Sequence, residues 1–183
     1  MSCSYTRRAY SRGVATVEMV IALPILLLLL FGVFELARAY QVQNMATALT
    51  REGANLASRS FSGSEQEIMD VLAISADPLD FAQDGSIYIS VVVGEQDNDP
   101  FVLAQHRWLN SGFVRPSKTW GSCGFWQLDG TCQLPNPPPR LATFPLALDP
   151  GETVYVVEVF YEHSVIGRYV FDGDMVVHSQ TMM

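Results

Sequence analysis

Residues 14–34 read VATVEMVIALPILLLLLFGVF, an apolar run with a single charge, Glu18, near its start. Twenty-one residues at the rise of an α-helix cover about 30 Å, the thickness of one hydrocarbon core. In lipid a lone segment can satisfy its backbone only as a helix, so this run predicts one membrane-crossing helix. Arg7, Arg8 and Arg12 precede it and no acid does. Basic residues on the leading side orient the chain with its N-terminus in the cytoplasm and the remainder outside. Pro24 lies inside the run. Its ring removes one backbone hydrogen bond and can bend the helix, a defect that membrane helices tolerate.

Glu18 is the anomaly. A carboxylate at the centre of a membrane helix costs about 2.5–3.5 kcal/mol on insertion scales, and such a group calls for a partner. Cleavage of the Gly13–Val14 bond would create one. The new α-amino group, with an ordinary pKa near 8, would be largely cationic at neutral pH. Glu18 would then be the fifth residue of the mature chain. In apolar surroundings an ammonium and a carboxylate strongly prefer to pair, whether on one chain or between neighbours.

A short basic leader ending in glycine, four small or apolar residues, a glutamate and then an apolar helix resembles a prepilin. Arg12-Gly13, followed by Val14-Ala15-Thr16-Val17-Glu18, matches the pattern cut by prepilin peptidase. The continuation LPILLLLLFGVFELARAY and the later TREGA are similar to the TadE-like family, minor pseudopilins of the tight-adherence (Tad/Flp) pilus system. Met19 follows the glutamate, where Flp-type prepilins carry an aromatic residue. The resemblance covers residues 7 to about 60. It implies a leader at 1–13, a transmembrane helix at 14–34 and a periplasmic pilin-like domain at 35–183, held in the bacterial inner membrane. It further implies a role in pilus assembly, with prepilin peptidase, the Flp pilin, a TadF-like pseudopilin and the inner-membrane assembly platform as partners. Other readings compete. Ala37-Arg38-Ala39 has the form of a secretory cleavage site, which would make Tyr40 the first mature residue, although Glu35 and Arg38 crowd the cut. An uncut signal anchor would tether a periplasmic binding or sensor domain and leave Glu18 unpaired. Thr6-Arg7-Arg8 hints at a twin-arginine signal, but Tyr10-Ser11 stands where apolar residues belong.

The rest of the chain is acidic. Losing residues 1–13 removes three of eleven basic residues and no acids, which deepens the formal charge from −8 to −11. Lys118 is the single lysine, and no basic patch follows the first dozen residues. Nucleic-acid binding, which needs clustered Lys or Arg, is therefore not expected. Cys3 lies in the leader. Cys123 and Cys132 flank a short loop of turn formers, and in an oxidising compartment that pair reads as a disulfide. Free thiols and a metal site are the alternatives, the latter poorly served by the scattered His106, His163 and His178.

Outside the membrane the helix is expected to continue to about Ser60, since Glu35 to Ser60 holds no proline. Val42, Met45, Ala46, Leu49, Gly53 and Leu56 form one face that packs on the protein's own sheet or, at Gly53, against neighbouring pilins. Ser64 and Glu67 form a capping box that opens a short helix to about Ala76, with Ile68, Val71 and Leu72 inward. The period then changes to two. Strands are expected at Ile87–Val93, at Phe101 to about Leu109 after a turn at Asp97-Asn98-Asp99-Pro100, at Thr153–Tyr161 and at Met175–Thr181. Residues 110–151 are rich in proline and lack periodicity, a loop that Cys123 and Cys132 would staple. Four strands and no βαβ alternation predict an α+β fold, with a small antiparallel sheet laid against the long helix.

No catalytic motif stands out: GxSxG, HExxH, the phosphate-binding loop and GxGxxG are all missing. No enzyme activity and no cofactor are expected. Asp97-Asn98-Asp99 and Asp172-Gly173-Asp174 resemble fragments of calcium loops and read as turns. Glu158 and Glu162 read as exposed strand acids, and His106 and Trp108 as packing residues on one strand face. Trp120, Phe125 and Trp126 form an aromatic cluster that either fills space under the long loop or offers a contact surface, since Trp is enriched in interface hot spots.

Overall fold

The computed structural model describes residues 11–59, 64–164 and 175–183. Cys3, Arg7, Arg8 and the Asp172-Gly173-Asp174 turn lie outside them. The chain divides into two units, one ending at Ala39 and a folded unit spanning Tyr40–Met183. Helix α1, Ser11–Ser58, contributes to both.

In the first unit α1 carries the apolar run, with Pro24 inside the helix. The stretch from Ala15 is long and apolar enough to cross a membrane, and none of its most apolar window is buried within the protein. An isolated helix that exposes Leu, Ile and Phe on every side is matched to lipid, not to a protein core.

In the second unit α1 is amphipathic. Val42, Ala46, Leu49, Gly53, Ala54 and Ala57 are buried, while Gln41, Asn44, Arg51 and Glu52 are exposed. The buried stripe joins a core with α2 (Glu65–Ser75), α3 (Phe81–Asp84) and one face of the sheet. Gly53 lets α1 approach closely. A Cβ there would lie 2.7 Å from Leu72 Cδ1 and 3.0 Å from Val157 Cγ1. Gly53 thus serves this chain's own packing rather than a neighbour's. Beside it the Thr181 hydroxyl donates to Thr50 Oγ1 at 2.9 Å, and the Thr50 and Ser179 hydroxyls lie 3.1 Å apart, fixing α1 on the last strand.

The capping box at α2 forms as expected: Glu67 N–H donates to Ser64 Oγ and Ser64 N–H to the Glu67 carboxylate. Ile68 and Leu72 point inward, but Met69 replaces Val71 in the core and Val71 is exposed. The inward face is rotated by part of a turn because α2 packs both under α1 and against the first two strands.

The sheet has four antiparallel strands, β1 (Gly85–Glu95), β2 (Asn98–Arg107), β3 (Thr153–His163) and β4 (Met175–Met182), in the order β2-β1-β3-β4. The β1–β2 turn is tighter than expected. Glu95 pairs with Asn98, so Gln96 and Asp97 form the loop and Asp97 takes φ 57°. Aspartate tolerates that left-handed conformation better than most residues. β1 is buried along almost its whole length, Tyr88 and Ser90 included. Both faces of the sheet are therefore covered: the helices lie on one, and the long loop between β2 and β3 on the other. Leu141, Phe144 and Leu148 of that loop pack on Val92, Val154 and Val156. Backbone bonds from Val102 N–H to Pro139 O and from Leu141 N–H to Pro100 O tie it to the edge of β2.

Candidate functional site

Arg12, Gly13 and Val14 fall in the first turn of α1, where the helix begins at Ser11. Glu18 is four residues beyond Val14, about 6 Å along the axis and on nearly the same face. It is exposed on the isolated helix. A chain beginning at Val14 would place its α-amino group one helical turn from this carboxylate. Free N–H groups at the helix start would add positive potential of their own.

The disulfide reading holds: Cys123 and Cys132 are bridged, with Cα atoms 6.0 Å apart. The bridge closes a small hairpin. Gln127 N–H donates to Thr131 O, Gln133 N–H to Phe125 O, and Gly130 turns the chain with φ 81°. Thr131 N–H donates to Asp129 Oδ1 at 2.9 Å, and this bond holds the exposed carboxyl below its ordinary pKa. Cys132 N–H donates to Gln105 O, which hooks the hairpin to β2. Cys132→Ser should destabilise the folded unit by about 2–3 kcal/mol through the freed loop. Urea midpoints of mutant and wild type, each with and without reductant, check this: wild type should shift on reduction and the mutant should not.

The three aromatic residues do not act as one cluster. Trp126 lies with its ring centroid 6.0 Å from that of Tyr88 and under the Arg107 guanidinium, 5.0 Å from the ring centre. Trp120 is half-buried, and its carbonyl accepts from Gln105 Nε2 at 2.9 Å. Phe125 alone of the three is exposed, together with Leu128 at the hairpin tip. His106 and Trp108 share the helix side of the sheet as expected, but differ in burial and partners. Trp108 is buried and donates from Nε1 to Asp70 Oδ1 at 2.7 Å, whereas His106 lies by Thr131 and Glu65.

Glu158 departs most from expectation. It is fully buried in the middle of β3, on the face covered by the long loop. Its Oε1 accepts from Lys118 N–H at 2.9 Å and Thr119 N–H at 3.2 Å, and the Ser117 hydroxyl donates to Oε2. His178 Nε2 stands 3.4 Å from Oε1 across the β3–β4 pair. Burial is the largest single influence and raises the carboxyl's pKa. His178, Ser117, Lys118 and Thr119 together outweigh it and bring the pKa below the ordinary value. The residues that stabilise the ionised Glu158 lie 39 to 41 positions upstream, apart from His178. Glu162 is half-buried at the end of the strand. Among the described residues no group of three or more His, Cys, Asp or Glu is placed to hold a metal ion.

No curated protein and no solved structure matches the chain. Residues 13–55, which carry the Gly13–Val14 step, Glu18 and the apolar helix, match the family model described as TadE-like protein.

Proposed function

We propose that the chain is a minor pseudopilin of a Tad-type pilus, a structural subunit with no catalytic activity of its own. Arg7, Arg8 and Arg12 hold the leader in the cytoplasm while the apolar part of α1 crosses the inner membrane. Prepilin peptidase cuts after Gly13. Glu18 then pairs with the Val14 amine, its own or a neighbour's, and the folded unit on the periplasmic side meets other pilins, Flp and a TadF-like subunit among them, at the assembly platform. As a minor component it initiates, caps or anchors the filament.

What supports this reading is the family match over residues 13–55 combined with a carboxylate at the fifth position of the helix that processing would leave. Proteolysis supplies the missing counter-charge, and an unprocessed anchor does not.

N-terminal sequencing or intact mass of the protein from its native membrane tests the proposal. A chain beginning at Val14 supports it. A first residue at Tyr40 would mean a secreted protein, and an intact leader a plain signal anchor. Gly13→Leu places a branched side chain at the residue before the cut. It should leave the precursor unprocessed, and a mature mass unchanged from wild type would overturn the assigned site.

A further inference from the structure

Between Phe113, whose N–H donates to Gly85 O, and the disulfide hairpin, residues 114–122 cross the loop-covered face of the sheet as a strap. Among the described residues no backbone–backbone hydrogen bond holds it. Its anchors are side chains of the sheet: Tyr88, whose hydroxyl donates to Arg115 O at 2.6 Å, Gln105 to Trp120 O, Gln180 to Thr119 Oγ1 at 3.1 Å, and Glu158, which takes three donors at once. The Ser117 hydroxyl also accepts from Trp120 N–H at 3.3 Å, so the turn closes around the carboxylate.

We propose that Glu158 is a proton-operated latch: ionised, it locks the strap at residues 114–122 onto the sheet, and protonated, it frees the strap while the helix-side core stays folded.

The geometry separates the two events. The helix-side core around Ala46, Leu72, Ile89 and Val157 lies on the opposite face of the sheet from Glu158. Protonation turns one oxygen of an acceptor-only group into a donor, facing N–H and O–H groups that are themselves donors. Among the described residues the charged and titratable groups around Glu158 are few. β4 contributes His178, and β1 contributes Tyr88, which is directly opposite in register and has Arg107 beyond it. The strap contributes Lys118, whose residue is exposed. Because the folded carboxyl titrates below its ordinary value, its contribution is complete above about pH 4.3, the unfolded value, and fades as the pH falls through the lower folded value.

The single lysine of the chain lies in the strap, so the endoproteinase that cuts after lysine reports on it at one bond. In detergent micelles at pH 8 the wild-type full chain should resist cleavage after Lys118, and Glu158→Gln, the uncharged isostere, should be cut about tenfold faster or more. Pulsed deuterium exchange of wild type against pH, corrected for intrinsic rates, should show 114–122 losing protection in acid before the Val157 and Val159 amides do. His178→Gln should move that loss to higher pH, because one group favouring the ionised carboxylate is gone. Equal cleavage of Glu158→Gln and wild type, or strap and β3 amides exposed together in acid, would overturn the latch. If Glu158→Gln loses its helical circular dichroism, the wild-type exchange profile decides by the same criterion.

Discussion

Trp108→Ala should lower the stability of the folded unit by about 3–5 kcal/mol, the largest cost expected of any single truncation in it. The ring is buried in the helix-side core just past the end of β2, where Trp108 N–H still pairs with Ile87 O. Alanine would leave a void between α2 and the sheet and strand Asp70, which now accepts from the indole N–H. A loss of this size corresponds to a fall in melting temperature of roughly 10 °C for a unit of this length. Trp108→Phe separates the causes. It keeps most of the apolar surface and removes the donor, and Asp70 is only half-buried, so the cost should fall to about 1 kcal/mol. Urea unfolding of both variants decides the matter, and equal losses in the two would show that packing is not the dominant effect.

Glu18→Gln should leave processing at Gly13 largely intact and abolish incorporation into filaments. The glutamine is easier to insert than the carboxylate, so the precursor reaches the membrane. After cleavage, however, the Val14 amine would face apolar surroundings with no counter-charge. Removing one partner of a buried ion pair costs about 3–5 kcal/mol, and a growing filament meets that cost at every such contact. The checks are the intact mass of the membrane fraction and immunoblotting of sheared filaments. Wild-type piliation with a correctly processed mutant would sink the pairing model, while an unprocessed mutant would implicate Glu18 in peptidase recognition.

The parts of the molecule governed by neighbours along the chain are legible in the amino-acid sequence. Apolar runs, the Ser64 and Glu67 capping box and the period-two alternation each act within a few residues, and α1, α2 and the four strands follow from them. The candidate processing site is legible for the same reason, since Gly13, Val14 and Glu18 lie within six residues of one another. What stays hidden depends on partners far along the chain. Tyr88 and Ser90 alternate with Ile87 and Ile89 as if one face of β1 met water, yet the proline-rich loop covers that face as a layer of its own. Glu158 has the local signature of an exposed strand acid. His178 on the neighbouring strand and donors some 40 residues earlier together offset the cost of its burial, and no periodicity records them. The place of Met69 rather than Val71 in the core is of the same kind, set by how α2 meets two strands at once.

The strap has a practical corollary for chemical labelling. If the leader is removed as proposed, the polypeptide offers two primary amines to an acylating dye, the terminal one at Val14 and the exposed ammonium of Lys118, on a segment whose main chain is tied down. If the first is sheltered by Glu18 within the bilayer, a fluorophore will settle on the second alone. It would then act as a built-in reporter of the sheet's covered face, read in assembled filaments without altering a single residue.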